Sequence, residues 1–162
     1  FLTATTGTLY GKARASITTL QGNTDAMSSA ELSLNQMRKM RRTVLVNGAD
    51  VRNLIFVTSY TQGDKYRALM QQMQRMTPTS AVAGFVGRPE LDGIPIFEEQ
   101  HASAGDLLLI DMDVTKLAVQ RSPSVIEFGR TGDTRKAAIV MYFNLYCVNP
   151  NHNYLSSGLA TT

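Results

Sequence analysis

Residues 87–121 read GRPELDGIPIFEEQHASAGDLLLIDMDVTKLAVQR, and this stretch decides the fold. Its Asp92-Gly93 pair predicts a turn, because glycine adopts a positive φ without a steric cost. The strand that follows contains Pro95, which lacks an N–H group, so we expect it to lie at a sheet edge or to pair on one side only. Beyond Gly105, the apolar run 107–110 predicts a strand that is covered on both faces.

The composition is that of a folded globular protein. Of the 162 residues, 43% are hydrophobic and 18% are charged, and the formal net charge is +3. A charge this mild does not by itself indicate a nucleic-acid-binding face. The longest apolar-rich stretch, 137–148, is too short to cross a bilayer, so no membrane partner is expected. No signal-peptide pattern is present, and because the chain begins with Phe1 we expect it to be part of a longer or processed product.

The residue types that most often carry chemistry are sparse. Cys147 is the only cysteine, which excludes a disulfide within the chain and a cysteine-based metal cluster. It lies in an apolar run, which favours a small buried hydrophobe over a reactive thiol. His101 and His152 have no further ligands or motif nucleophiles nearby in sequence, and each is interpreted as a polar loop residue. No catalytic residue, cofactor or metal site is predicted.

Two helices are predicted. The first begins at Ser28, which forms a capping box with Glu31, and runs to residue 42. The second begins with Thr61 and Asp64 and runs to residue 76, with a methionine stripe that is interpreted as core. Four cations, Arg38, Lys39, Arg41 and Arg42, end the first helix. A solvated helix end is favoured there over a phosphate contact, because no aromatic residues are interleaved for base stacking.

The remaining strands are short apart from one. They are predicted at 43–46, 54–57, 117–121 and 125–128, with a turn at 122–124. The run 136–148 is the longest strand candidate, and apolar side chains on both of its faces predict a central place in a sheet. Strands and helices intermix without a regular βαβ rhythm, so the predicted class is α+β.

The segment LLLIDMDVT at 107–115 offers the one tempting catalytic motif. It resembles the first motif of haloacid-dehalogenase-like phosphotransferases, in which Asp111 would be the nucleophile and Asp113 the general acid/base, with magnesium bridging to phosphate. That family needs a full doubly wound domain after this strand, and too few residues follow Asp111. A turn in which an Asp side chain accepts from nearby N–H groups is the favoured interpretation.

A family resemblance lies in the order of features over residues 25–162. Each signal is weak alone, and the order carries the weight. It resembles the major capsid proteins of tailed bacteriophages, which have the Hong Kong 97 fold. The matching segments are a helix at 29–42, a strand at 54–57, a helix at 64–76, LDGIPI at 91–96, Gly105, the strand 107–111, a strand at 117–121, a strand at 125–128, the polar loop 129–135 and the strand 136–148.

The resemblance implies a fold and a domain plan. The chain would be the carboxyl-terminal portion of such a subunit, an α+β mixed sheet with two main helices. Residues 1–24 would be an irregular lead-in and a candidate remnant of the peripheral domain. Residues 25–122 would form an axial-type domain, and 123–162 a long strand and tail that return to the peripheral domain. The candidate subunit contacts are the exposed loop residues Arg88, Pro89, Leu91, Asp92, Ser103 and Gly105.

The resemblance also implies a structural function without catalysis. Copies would assemble into pentamer and hexamer rings of an icosahedral phage or prophage capsid around double-stranded DNA, with non-specific DNA contact inside. Scaffold and portal proteins would be further partners, and the chain would reside in the host cytoplasm during assembly and then in the virion. Two alternatives stay open: an encapsulin-like compartment shell, and a phosphotransferase using Asp111 and Asp113.

Overall fold

The computed structural model describes residues 2–74, 89–129 and 132–161. Short 3-10 turns at Arg14–Ser16, Thr18–Leu20, Val51–Asn53 and Pro150–His152 connect the main elements. In chain order, these elements are β1 (Thr8–Leu9), β2 (Lys12–Ala13), β3 (Asn23–Ala26), α1 (Leu34–Val46), β4 (Leu54–Thr58), α2 (Tyr60–Gln74), β5 (Glu90–Leu91), β6 (Ile94–Glu98), β7 (Leu107–Asp111), β8 (Thr115–Glu127), β9 (Ala137–Cys147) and β10 (Tyr154–Ser157).

A six-stranded mixed sheet forms the body, in the order β3-β10-β7-β4-β6-β5. The pairs β10–β3 and β4–β6 are parallel, and the other pairs are antiparallel. Burial alternates along the central strands, as expected for a sheet with one fully covered face. The core on that face combines strand and helix side chains, among them Phe56, Ile94, Ile96, Leu107, Leu109, Met37, Met40, Val44 and Tyr66.

The opening stretch folds largely as its sequence predicts. Asp92-Gly93 forms the turn between β5 and β6, and both residues have a positive φ. The prediction that the strand containing Pro95 lies at a sheet edge or pairs on one side only is wrong, because β6 lies between β4 and β5. The proline is tolerated there because β4 begins its pairing with β6 at Ile96, so Pro95 itself pairs only with Glu90 of β5. The strand β7 is central, although its second face is half-buried rather than fully covered.

The first helix begins later than predicted. The N-cap of α1 is Ser33, whose side chain accepts a hydrogen bond from the N–H of Gln36. The capping box at Ser28 is wrong, because Ser28 has a positive φ and its neighbour Ser29 donates to the carbonyl of Gly158. Contacts with the end of β10 thus hold this segment as a turn. The strand predicted at 43–46 is also wrong, since those residues belong to α1.

The second helix and the methionines agree with prediction where they are described. The helix α2 begins at Tyr60, a residue before the predicted start, and its predicted end at residue 76 lies outside the described residues. Met37 and Met40 are fully buried, and Met70 packs against the core. These methionines therefore fill a core, as interpreted from the sequence.

The last two long strands form a ribbon of their own. β8 and β9 pair antiparallel from Thr115 opposite Cys147 to Glu127 opposite Ala137. The turn predicted at 122–124 is wrong, because β8 continues through it. The strand has two bulges, and the second, between Arg121 and Ser124, contains Pro123. The central position predicted for 136–148 is also wrong, since β9 pairs only with β8 among the described residues. Apolar residues on both strand faces indicated burial, but the ribbon leaves most of them exposed.

Polar contacts join the base of the ribbon to the turn between β1 and β2, which form a two-stranded sheet of their own. The hydroxyl of Tyr10 donates to the carbonyl of Cys147 at 3.0 Å and accepts from its N–H at 3.2 Å. The strand β10 re-enters the six-stranded sheet between β3 and β7. The division into 1–24, 25–122 and 123–162 stays a prediction, and strands from the second and third segments share one sheet.

We expect Cys147 to be inert toward a maleimide in the folded chain. The residue is fully buried, and this burial raises the pKa of its thiol, so both access and the thiolate fraction fall. Modification followed by mass spectrometry should be at least ~100-fold slower than in denaturant. The variant Ser103→Cys, which places a thiol on an exposed turn, is the control and should react in the folded state. Rapid labelling of native Cys147 would contradict the buried assignment.

Candidate functional site

The Asp111 carboxylate lies at the end of β7, where the predicted turn is confirmed. The residue is only 2% exposed. Its Oδ1 accepts from the N–H of Asp113 at 2.9 Å, and its Oδ2 lies 3.0 Å from His152 Nδ1. Both carboxylate oxygens are therefore engaged inside the chain, which is the environment of a structural group rather than of an accessible nucleophile.

His152 and Asn153 complete this corner. His152 is not the free polar loop residue that the sequence suggested, because its Nε2 lies 3.1 Å from the carbonyl oxygen of Asn47 at the end of α1. Asn153 is fully buried, and its Oδ1 accepts from the N–H of Asp111 at 2.9 Å. Its Nδ2 lies 3.3 Å from the sulfur of Cys147. The corner therefore ties β7, α1 and the base of the ribbon together.

Sequence reasoning missed Asn153. The run NPNHN at 149–153 indicated only the end of a strand, because Asn and Pro are ordinary turn residues. The neighbouring sequence does not distinguish an asparagine that caps a loop from one whose side chain bridges several elements. Among residues 2–74, 89–129 and 132–161, no group of three His, Cys, Asp or Glu side chains could hold a metal ion. No described helix is long and apolar enough to span a membrane.

The predicted subunit contacts fall at opposite ends of one strand. Pro89, Leu91 and Asp92 precede β6, whereas Ser103 and Gly105 follow it and lead into β7. Five residues of strand separate the two loops by about 17 Å. One of these loops could therefore contact one neighbour while the other contacts a second. Arg88 lies outside the described residues.

The individual loop residues differ in what they offer. Asp92 and Ser103 are exposed, whereas Leu91 is buried in the core of its own chain. Gly105 accepts from the N–H of Leu159, and a Cβ there would lie 3.0 Å from the Leu159 carbonyl oxygen. Their role in subunit contact stays a prediction.

A basic groove runs along the outer side of α1. It has a volume of about 700 Å³ and is lined by Asn35, Arg38, Lys39, Arg41, Arg42, Leu45, Val46 and Asp92. The Asp92 carboxylate lies 3.8 Å from a nitrogen of Arg38 and 3.8 Å from one of Arg41. Lys39 instead donates a hydrogen bond to Asp25, and this bond lowers the pKa of the Asp25 carboxyl.

The ribbon presents a continuous apolar face, defined by directly opposed and alternating side chains. The pairs Leu117–Leu145, Val119–Phe143 and Val125–Ile139 lie on this face together with Met141. Their exposure ranges from 37% for Met141 to 79% for Ile139. A face this apolar and this exposed is typical of a surface that another protein segment covers.

The outer edge of β9 is equally unprotected. Ala137–Cys147 contains no charged residue and no proline, the residues that usually block strand addition. The edge of β8 differs, because it carries Lys116, Arg121, Pro123 and two bulges. The β8 edge of the ribbon is therefore protected against strand addition, whereas the β9 edge is open to pairing with another strand.

Comparison with known proteins supports the fold. No protein-family model and no curated protein matches the sequence. The cyanophage A-1(L) capsid matches with a TM-score of 0.73 and 14% identity, over 96% of this chain and 56% of that chain. The capsid of an empty GTA particle matches with a TM-score of 0.64 and 15% identity, over 98% and 56% of the two chains. A virus-like particle from Pyrococcus furiosus matches with a TM-score of 0.55 and 11% identity, over 84% and 54%.

These matches define the fold of the chain. It is a partial Hong Kong 97-type capsid fold, an α+β architecture with a mixed sheet and two described helices, and both fold predictions are confirmed. The chain spans about half the length of the capsid proteins it matches. At these identities the likeness assigns no role to any single residue.

Proposed function

We propose that the chain is part of a shell-forming subunit of an icosahedral phage or prophage capsid, which assembles into pentamer and hexamer rings around double-stranded DNA. The observation that carries the proposal is the exposed apolar face of the β8–β9 ribbon on a body with a capsid fold. We expect another protein segment to cover this face, since a soluble monomer seldom exposes a large contiguous apolar surface.

Self-association in rings also suits the placement of the candidate contacts. Copies that meet through two different surfaces form a heterologous contact, which closes into a ring when the rotation between copies divides a full turn. The loops on either side of β6 offer two such separate surfaces. Scaffold and portal proteins would be further partners, with assembly in the host cytoplasm before residence in the virion.

An encapsulin-like compartment is a second candidate, favoured by the match to the virus-like particle from Pyrococcus furiosus. The two shells differ in content, because one holds a genome and the other a protein cargo. The phosphotransferase interpretation gains no support from the geometry. Asp111 Oδ1 accepts from the N–H of Asp113, and Oδ2 lies 3.0 Å from His152 Nδ1, so both oxygens are engaged inside the chain.

The test is to purify the natural gene product that contains this sequence and to examine it by gradient sedimentation and negative-stain electron microscopy. Uniform hollow shells or rings are expected. Nuclease-protected DNA inside them would indicate a capsid, and a co-purifying enzyme without DNA would indicate a compartment. A product that stays strictly monomeric at micromolar concentration would contradict both.

A further inference from the structure

We propose that the basic groove on α1 binds phosphate groups of a nucleic-acid backbone through Arg38, Arg41 and Arg42. The inference rests on the proposed function, because a shell that encloses DNA supplies the ligand. It goes further by assigning the contact to one surface of the chain. The sequence favoured a solvated helix end for these residues, and the groove is what changes that interpretation.

The spacing of the three guanidinium groups presents them together. Arg38 and Arg42 are four residues apart on α1, and Arg41 is three residues from Arg38, so all three lie along one side of the helix. Arg38 and Arg42 are about one helical turn apart, and their four-residue separation corresponds to about 6 Å along the axis. Successive phosphates of one strand could therefore each contact a guanidinium group.

The hydrogen-bonding state of Arg41 points to an anion. Its Nε is buried and has no acceptor among the described residues. Its other contact, to Asp92, is a long 3.8 Å. A phosphate in the groove does not reach this buried Nε. The Arg41 side chain is nevertheless 32% exposed, and its terminal guanidinium nitrogens, which face Asp92 only at 3.8 Å, are the donors that a phosphate oxygen would accept from.

The charge of the groove is positive after its own ion pairs are counted. The ammonium group of Lys39 is held by Asp25. Of the described residues that line the groove, Asp92 is then the one carboxylate against three guanidinium groups. Arginine binds phosphate well because its planar donors match two oxygens at once. Among the residues that the structure describes, no aromatic side chain lines the groove, so we expect contact with the backbone and no preference for base sequence.

An acidic protein segment is the competing occupant. A helix surface has no unpaired backbone groups with which to bind an extended peptide. Within the described part of the chain, the apolar residues that line the groove are Leu45 and Val46, which is little for a protein anchor. Recognition of a protein segment would then depend on charge alone. Charge alone favours a nucleic acid over an acidic protein segment, because the phosphates of a nucleic acid are closely and regularly spaced.

The test measures binding of the chain to a fluorescent duplex of mixed sequence by anisotropy, from about 50 to 200 mM salt. The variant Arg38→Gln/Arg42→Gln should bind the duplex at least ~10-fold more weakly. The slope of log K against the logarithm of the salt concentration should be about 2 less negative than for the wild-type chain. The control Lys116→Gln/Arg121→Gln removes the same charge from the ribbon and should change the affinity less than about 3-fold. Circular dichroism confirms that both variants are folded.

Several outcomes would overturn the proposal. One is an equal loss of affinity in both variants, which would reduce the effect to net charge. Others are competition by polyglutamate as effective as that of unlabelled duplex, and no binding by the wild-type chain. Electron microscopy of the natural gene product with the same substitutions separates this proposal from the proposed function. Shells that form with undiminished DNA content in Arg38→Gln/Arg42→Gln would overturn the groove assignment alone, whereas a wild-type product without shells would overturn the function.

Discussion

Asp111→Asn should lower the free energy of unfolding by about 3 kcal/mol, because it breaks a buried charged hydrogen-bond network. Asp111 is buried, and its two oxygens accept from the Asp113 N–H and face His152. Asparagine has one acceptor oxygen, so its NH₂ group would be directed at either the Asp113 N–H or the histidine ring. At about 2–4 °C per kcal/mol for a chain of this size, the melting temperature should fall by roughly 6–12 °C.

Urea denaturation followed by circular dichroism measures the effect, with Asp113→Asn as the matched control. Asp113 is exposed, so its loss should change stability by less than about 0.5 kcal/mol. Equal stability of the two variants would show that the corner is not structural. If the wild-type chain also had a magnesium-dependent phosphatase activity that Asp111→Asn removed, the phosphotransferase interpretation would return.

Leu117→Glu/Phe143→Lys should abolish particle formation by the natural gene product, lowering the assembled fraction by at least ~10-fold. The two side chains are 53% and 60% exposed, so they contribute little to the stability of their own chain. They lie diagonally across the ribbon on its apolar face. Opposite charges at diagonal positions preserve the pairing of β8 with β9, and the net charge is unchanged, so the substitution removes only the apolar surface.

The control places the same charges on the other face, as Ala118→Glu/Asn144→Lys. These residues are directly opposed on β8 and β9. Gradient sedimentation and electron microscopy should show particles for the control and small species for the test variant, with both chains folded by circular dichroism. Normal shells from Leu117→Glu/Phe143→Lys would falsify the assignment of the apolar face to assembly.

The sequence predicted elements whose determinants are local. The strand β4, the turn at Asp92-Gly93 and the turn at Asp111 all agree with the structure. Each depends on backbone propensity or on a side chain that bonds within two residues. The start of α1 was wrong for a nonlocal reason, since the end of β10 holds Ser29 by a backbone hydrogen bond.

The surfaces that carry the proposals depend on contacts between distant parts of the chain. Ribbon residues such as Ile139 and Phe143 were predicted to be buried, because an apolar strand inside a sheet and one awaiting a partner have the same sequence pattern. The basic residues of α1 were visible in the sequence, but the groove also needs Asp92, brought close from beyond α2. The sequence by itself determined the α+β class and the turns, through propensities that act over a few residues. Only the tertiary structure decided which apolar strands were left uncovered and which charges met, because burial is set by packing between segments far apart in the chain.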